Sequence, residues 1–227
     1  MPTALSTIAA DMVSPDTQTR IRGAVEYFRL EARCDSFLLA YKNPHEGDYT
    51  IVQNRGYSDS VALHLSGEIE ELPEFRVQFR ESHRVTMWED VPEFADSYSG
   101  REVLRPEGFN NGFIMILQDR VGETVGMCQG NIEGDRFADS SKELLESLRP
   151  TFTDFTTRHH RINSYGLTAR EREILELLRT GLSNTEISER LYLSPRTVST
   201  HVERILRKLG VSNRVAAAVR AADMSLL

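Results

Sequence analysis

The side chains best suited to chemistry in this sequence lie on one predicted helix near the C-terminus. Ser194-Pro195 is an N-cap residue followed by proline at the first helical position, which predicts a helix over Pro195–Leu209. The apolar residues of this helix recur at helical spacing and form one inward stripe: Val198, Val202, Ile205 and Leu209. The opposite face carries charged and hydroxyl groups: Arg196, Ser199, Thr200, Glu203 and Arg207. Such a face is suited to hydrogen-bond phosphates and the edges of bases.

Shorter helices must position this polar face. Thr168-Ala-Arg-Glu171 and Ser183-Asn-Thr-Glu186 both have the capping-box pattern that starts a helix. We predict a helix over Glu186–Leu191, a turn at Tyr192-Leu193-Ser194, and a last helix from Ser212 to about Ala222. The order of short helix, tight turn and polar-faced helix is that of a helix-turn-helix. The alternative is a small helical bundle whose polar face is only solvated.

Four stretches carry a resemblance to a known family. They are Leu167-Thr-Ala-Arg-Glu-Arg-Glu-Ile-Leu175, Gly181-Leu-Ser-Asn-Thr-Glu-Ile187, Thr197-Val-Ser-Thr-His201 and Lys208-Leu-Gly-Val-Ser-Asn-Arg214. Together they closely resemble the LuxR-type DNA-binding domain. The resemblance implies that the helix Pro195–Leu209 enters the major groove of double-stranded DNA, and that the last helix pairs two protomers.

The resemblance also places the base-reading positions on Ser199, Thr200 and Glu203. Well-known members carry lysine at the first and last of these, so this sequence departs from the pattern. Glu203 cannot bind a phosphate, but it can accept a hydrogen bond from a cytosine amino group or pair with Arg207 four residues on. Phosphate contacts are predicted from residue type and from the start of the second helix: Ser183, Asn184, Thr185, Arg196, Thr197, Arg204, Arg207 and Lys208.

The N-terminal part of the sequence has the pattern of an α+β domain. Strands are predicted over Ser36–Tyr41, Tyr49–Gln53, Val85–Trp88, Gly112–Gln118 and Thr124–Gln129. Helices are predicted over Asp16–Ala32, 57–66 and Pro73–Ser82, with loop and helix over Pro92–Arg105. This order predicts an antiparallel sheet with flanking helices, and it resembles GAF-like and PAS-like sensory domains.

A long amphipathic helix is predicted from Ser140 to about Ser164, with a kink or a fresh start at Pro150. Its apolar seam alternates spacings of three and four: Leu145, Leu148, Phe152, Phe155, His159 and Ile162. Such a seam either pairs two chains or packs on the sheet of its own domain. We expect the first part to pack on the sheet and the second part to pair. A second dimer face is predicted on the last helix, at Val215, Val219 and Ala222, although this stripe could instead seal the helical bundle.

The charge is shared unevenly along the chain. From Gly166 onward there are ten Lys/Arg and seven Asp/Glu, a net charge of +3. The whole chain has a net charge of −7, so the residues before Gly166 have a net charge of −10. This distribution indicates that only the tail meets phosphate. We predict a sensory and dimerisation domain over 1–139, a connecting helix and linker over 140–165, and a DNA-binding domain over 166–227. A dimer of this kind would recognise an inverted repeat.

Several regulatory inputs fit a sensory domain joined to a DNA-binding tail. Phosphorylation of a receiver domain needs a different strand order. A homoserine-lactone receptor needs a tyrosine four residues after its tryptophan and a downstream Asp-Pro pair, but Pro92 stands four residues after Trp88 and no Asp-Pro occurs. Another small-molecule effector would contact aromatic side chains, predicted at Phe37, Tyr41, Tyr57, Trp88, Phe109 and Phe113. The alternative is a ligand-free module for protein interaction and dimerisation.

The sequence lacks the motifs of most other classes. A Gly-rich phosphate loop, a nucleophile elbow and a metal-ligand pattern are all missing, so we expect no enzyme, no cofactor and no metal. Cys34 and Cys128 are expected to be buried thiols. No apolar run reaches the roughly 18 residues that a membrane helix needs, and the start lacks the basic region of a signal peptide. The expected location is the cytoplasm.

Overall fold

The computed structural model describes residues 4–67, 69–76 and 84–223 of the chain. It divides the chain into two compact units, Met1–His160 and Arg161–Leu227. Each unit has a hydrophobic core of its own. In the ranges described, no helix has the length and apolar character needed to span a bilayer.

The N-terminal unit is built on an antiparallel sheet, as predicted. The described strands are β1 (Ser36–Lys42), β2 (Tyr49–Arg55), β3 (Val85–Met87), β4 (Asn111–Gln118) and β5 (Thr124–Ile132). They lie in the order β2-β1-β5-β4-β3, and every neighbouring pair is antiparallel. Each strand overlaps a predicted one, because short apolar runs bounded by turn residues mark strands locally.

Helices cover both faces of this sheet. They are α1 (Ala4–Met12), α2 (Thr17–Ala32), α3 (Asp59–Ser66) and α4 (Ser141–Ser164). The α2 helix begins at its predicted start, since the Asp16 carboxylate accepts a hydrogen bond from the Thr19 amide at 2.6 Å. Pro150 lies inside α4 without ending it.

Other segments differ from the prediction or extend beyond it. The α1 helix was not predicted. It packs on α2 where Gly23 leaves room, since a Cβ on Gly23 would lie 2.8 Å from the Asp11 Cβ. Of the helix predicted over Pro73–Ser82, Pro73–Phe75 form a 3-10 turn, and residues 77–83 lie outside the described ranges. The connection from β3 to β4 consists of 3-10 turns and a π-helical turn at Ser99–Leu104.

One core lies between the sheet and the helices α2 and α4. Phe37 and Phe113 from the sheet contact Phe28 of α2, with ring centroids 5.7 and 5.4 Å from it, and Phe37 contacts Phe152 of α4 at 5.7 Å. Both cysteines are buried in this core, as expected. Burial raises the pKa of the Cys34 thiol to about 12, so it stays protonated and unreactive at neutral pH. The other face of the sheet has a separate core that includes Leu38, Ile114 and Phe75.

The first part of the α4 seam packs on this sheet. Its members Leu145, Leu148, Phe152 and Phe155 are all buried within the same chain. Two polar contacts also hold α4 to the sheet: the Val85 amide donates to the Glu146 carboxylate at 3.1 Å, and Arg149 donates to the Ile116 carbonyl at 2.8 Å. This packing is the role expected of the first part of the seam, and a dimer contact through these four residues is excluded because they are already buried.

Candidate nucleic-acid interface

The C-terminal unit contains the helices that carry the predicted polar face. They are α5 (Ala169–Arg179), α6 (Asn184–Leu191), α7 (Pro195–Leu209) and α8 (Arg214–Asp223). The bounds of α7 are those predicted from its cap, its proline and its final glycine. The Ser194 hydroxyl accepts a hydrogen bond from the Thr197 amide at 3.1 Å, so the chain leaves the turn and enters α7 at a defined point.

Both predicted capping boxes are formed. At the start of α5 the Thr168 hydroxyl accepts from the Glu171 amide at 3.2 Å, and the Glu171 carboxylate accepts from the Thr168 amide at 2.9 Å. At the start of α6 the Glu186 carboxylate accepts from the Ser183 amide at 2.7 Å, and the Glu186 amide donates to the Ser183 hydroxyl at 3.3 Å. These local bonds fix where each helix begins, and hence how α6 presents its first turn.

The apolar stripe of α7 packs inward and leaves the polar face of the helix on the outside. Val198, Ile205 and Leu209 are buried in a core shared with α5, α6 and α8, and Val202 packs against that core. The turn before α7 contains Tyr192 in the left-handed conformation, with φ of 55°. Tyr192 is 96% exposed. It was not among the predicted site residues.

The outer face of α7 is a row of exposed charges. Arg196, Glu203, Arg204 and Arg207 are all exposed. No ion pair within the described ranges involves any of the three arginines, so Glu203 does not pair with Arg207. This leaves acceptance of a hydrogen bond as the option for Glu203. Thr200 is also exposed, and its hydroxyl donates back to the Arg196 carbonyl at 3.1 Å.

Lys208 is placed differently from the neighbouring arginines. Its Nζ lies 2.6 Å from a carboxylate oxygen of Glu171 and 2.7 Å from the carbonyl oxygen of Gly166. The Glu171 side chain is only 3% exposed. Burial by itself raises the pKa of the Glu171 carboxyl, but the hydrogen bonds from Lys208 and Thr168 and the charge of Lys208 outweigh it, so this pKa lies below its ordinary value. Lys208 thus ties the start of α5 to the end of α7, which corrects its assignment as a phosphate ligand.

The predicted phosphate ligands at the start of α6 also differ in the contacts that they make within the chain. The Ser183 hydroxyl serves the capping box, donating to the Glu186 carboxylate at 2.7 Å. The Asn184 side-chain amide donates to the Ser199 hydroxyl at 3.0 Å, and so it joins α6 to α7. Thr185 is exposed, whereas Ser199 is half-buried. The Thr197 hydroxyl is exposed and lies 2.8 Å from that of Ser194.

The last helix has two apolar faces. Ala217 and Ala221 are fully buried in the core of the C-terminal unit, so they seal the bundle. On the other side Val215 is 68% exposed, Val219 is 56% exposed and Ala222 is exposed. In the described part of the chain, the stripe predicted as a dimer face is therefore largely exposed. Ile162, the last member of the α4 seam, packs against the core of this unit.

The aromatic residues predicted to line an effector pocket are not brought together. Phe37 and Phe113 pack with Phe28, whereas Tyr57 meets Phe109 edge-on at 5.5 Å in the core on the opposite face. Tyr41 stacks on His159 with ring centroids 5.3 Å apart. Trp88 and Phe113 do line a cavity, which they share with polar residues at Gln129 and Asn131, but its volume is about 10 Å³. That is room for about one water molecule. Within the described part of the chain, His, Cys, Asp and Glu form no cluster of three suited to a metal ion.

Comparison with known proteins gives a family match within the C-terminal unit. Residues 165–221 match the family model described as bacterial regulatory proteins, luxR family. The nitrate/nitrite response regulator protein NarP of Escherichia coli is 31% identical over 133 residues, which cover 51% of this chain and 62% of that protein. A probable csgAB operon transcriptional regulatory protein of Salmonella typhimurium is 44% identical over 128 residues, which cover 56% of each chain. The matches thus span little more than half of these relatives.

The N-terminal unit is similar in fold to a solved structure. The GAF domain of a phosphoenolpyruvate-protein phosphotransferase from Coxiella burnetii superposes with a TM-score of 0.53 and 17% identity, covering 70% of this chain and 92% of that domain. At this identity the likeness concerns the fold, and it agrees with the predicted sheet and helices. The chain therefore carries a luxR-family helix-turn-helix domain at its C-terminus, preceded by a domain of GAF-like fold.

Proposed function

We propose that this protein is a cytoplasmic, dimeric transcription regulator that recognises an inverted-repeat operator through α7. The observation that carries the proposal is the outer face of α7, where Arg196, Arg204 and Arg207 are exposed and have no ion pair in the described ranges. These cations are held by a helix whose start, inward stripe and end are all fixed by local bonds and packing. The luxR-family match over residues 165–221 and the names of the relatives support a regulator rather than an enzyme.

In this proposal the two parts of a DNA contact come from different groups. The three arginines of α7 bind phosphates and set the register, together with Thr197, Thr185 and the first amides of α6, which have no partner within their helix. Base edges are contacted by Ser199, Thr200 and Glu203 on the same face of α7. The Glu203 carboxylate can only accept hydrogen bonds at neutral pH, so it suits the amino group of cytosine.

Pairing of two chains follows from the modest charge of the tail. A net charge of +3 neutralises few phosphates, so one copy should bind DNA weakly. The exposed residues Val215, Val219 and Ala222 of α8 offer an apolar face for a second copy. We assign assembly or sensing to residues 1–139, connection to 140–165 and DNA binding to 166–227. Two α7 helices related by a two-fold axis would contact half-sites about one turn apart.

For the N-terminal domain, the packing favours the ligand-free interaction module over a small-molecule sensor. A site for a small effector has a volume of several hundred Å³, whereas the cavity at Trp88 holds about 10 Å³. An open groove of about 340 Å³ lies between α2 and α4, but none of the predicted pocket aromatics lines it. Thermal unfolding of the full chain against a panel of metabolites tests this choice. Saturable stabilisation by one compound would restore the effector hypothesis.

The DNA contact is tested by the salt dependence of binding. Arg207→Ala should weaken binding to every sequence and lower the slope of log K against log salt by about one, because one phosphate contact is lost. Lys208→Met is the matched control: it removes an adjacent positive charge whose Nζ is already held by Glu171. It should lower the melting temperature and leave the slope unchanged. An unchanged slope in Arg207→Ala, or equal slopes in the two variants, would reject the assigned contact.

A further inference from the structure

A hydrogen bond joins the two helices of the helix-turn-helix at the position where bases are contacted. The side-chain amide of Asn184, at the start of α6, donates from Nδ2 to the Ser199 Oγ on α7 at 3.0 Å. The two residues are 15 positions apart in the sequence, and both side chains are half-buried. The contact is therefore a tertiary one, set by how α6 crosses α7.

The Asn184 side chain points inward rather than toward a phosphate. Its Oδ1 atom is enclosed by protein and meets no donor within the described residues. With Oδ1 enclosed and one N–H of Nδ2 bonded to Ser199, the side chain is held against α7. The backbone amide of Asn184 is in the first turn of α6, where a helix start favours an anion. The backbone and the side chain of Asn184 thus have separate roles.

The direction of this bond fixes the polarity of Ser199. A serine hydroxyl has one proton to donate and two lone pairs that accept. Because one lone pair of the Ser199 Oγ accepts from Asn184, its proton and its second lone pair are left to point away from α6. Thr200 differs, since its hydroxyl proton is already donated to the Arg196 carbonyl. Acceptance from Asn184 also polarises the Ser199 hydroxyl and makes it a better donor.

We propose that Asn184 is a positioning residue that presents the Ser199 hydroxyl to DNA as a hydrogen-bond donor. This inference rests on the proposed function. In the major groove a donor suits guanine N7 or O6, adenine N7 and thymine O4, whereas cytosine presents an amino donor. The base facing Ser199 is then one that presents an acceptor, and cytosine is disfavoured because its amino group can meet only the remaining lone pair of the hydroxyl. One turn along α7, Glu203 offers only acceptors and selects the opposite polarity, so a donor and an acceptor lie side by side on the same face of the helix.

The test is base selection by the full chain on a pool randomised over the operator. Wild type should select against cytosine at one position of each half-site. In Ser199→Ala this preference against cytosine should fall by about fivefold to tenfold, as expected for the loss of one hydrogen bond to a base. Asn184→Ala should lose it to a similar extent with an unchanged salt slope. The double variant Asn184→Ala/Ser199→Ala should lose no more than Ser199→Ala alone, because the two residues act through one contact.

A second variant reverses the polarity instead of removing it. Asn184→Asp keeps the size of the side chain and places a carboxylate in the first turn of α6, where it is well tolerated. The carboxylate accepts the Ser199 proton, which leaves only lone pairs facing the groove, so preference at that position should shift toward bases that present an amino group. Circular-dichroism melting of each variant reports whether its fold is intact.

The outcomes separate this inference from the proposed function. Selective, salt-dependent binding by wild type with the losses above supports both. If wild type binds selectively but Asn184→Ala lowers the salt slope and keeps the preference against cytosine, the side chain of Asn184 is a phosphate ligand and the inference is overturned alone. If the selected base is cytosine, the bond to Ser199 runs in the other direction and the inference is overturned. If wild type selects no sequence, the proposed function and the inference both fail.

Discussion

Arg207 and Lys208 are adjacent cations at the end of α7 whose surroundings give them different roles. Arg207 is exposed without an ion pair in the described ranges, so its charge is available to a phosphate. Lys208 lies against the Glu171 carboxylate, which belongs to a capping box 37 positions earlier in the sequence. From residue type alone, both were predicted to bind phosphate. Distinguishing them needs the packing of α5 against α7, because no local pattern links residues so far apart.

The Glu171–Lys208 pair makes the stability of the C-terminal unit depend on pH. The pKa of the Glu171 carboxyl lies below its ordinary value, so the ionised form is favoured in the folded state. Its contribution to the free energy of unfolding is fully present above the unfolded-state pKa of about 4.3 and is lost as the pH falls through the folded-state pKa. Glu171→Gln should therefore cost about 1–3 kcal/mol at pH 7 and much less at pH 3.

Hydrogen-exchange protection of residues 169–209, corrected for the intrinsic exchange rate at each pH, measures this difference. The exposed Glu186 in the other capping box also has a lowered pKa, caused by hydrogen bonds to Ser183, so Glu186→Gln is the matched control. Both changes remove a capping carboxylate, but only Glu171 also faces Lys208. An equal effect of the two substitutions would mean that capping, and not the ion pair, accounts for the loss.

At the scale of elements, the boundaries of α7 were predicted to the residue, whereas the length over which α4 packs on the sheet was not. The bounds of α7 are set by Ser194, Pro195 and Gly210. Each of them acts on residues within one helical turn, so the bounds can be predicted from the local sequence. The seam of α4 shows only that one side of the helix is apolar. Whether that side meets a second chain or a sheet depends on contacts such as that of Phe152 with Phe37, which are distant in sequence. The missed α1 packs on α2 through Gly23, again a contact that leaves no local pattern.

Two substitutions on different helices test which face pairs the chains. Phe152→Leu on α4 removes volume from a fully buried site and should cost about 1–2 kcal/mol of stability, with no change in self-association. Val219→Glu on α8 introduces a charge at an exposed site, so it should change stability by no more than about 0.5 kcal/mol and abolish the dimer. Sedimentation velocity and thermal melting of the full chain measure both effects. A monomeric Phe152→Leu beside a dimeric Val219→Glu would move the dimer face from α8 to α4.

At the scale of the whole molecule, an acidic domain of GAF-like fold precedes a locally basic helix-turn-helix. The antiparallel sheet and the division of charge were predictable, since short apolar runs, turn residues and acidic or basic composition are properties of the sequence. The pocket was not, because Phe37, Tyr57 and Phe113 face different cores and only the folded sheet separates them. The cavity that Trp88 and Phe113 share has a volume of about 10 Å³, which is too small for an effector.

The central claim is that two copies of α7 contact DNA together. Hydroxyl-radical footprinting of the full chain on its selected operator tests this most directly. We expect two protected patches related by a two-fold axis, with centres about one helical turn apart. Val219→Glu should reduce the occupancy of both patches together at a fixed protein concentration. A single asymmetric patch at saturating protein would contradict the account.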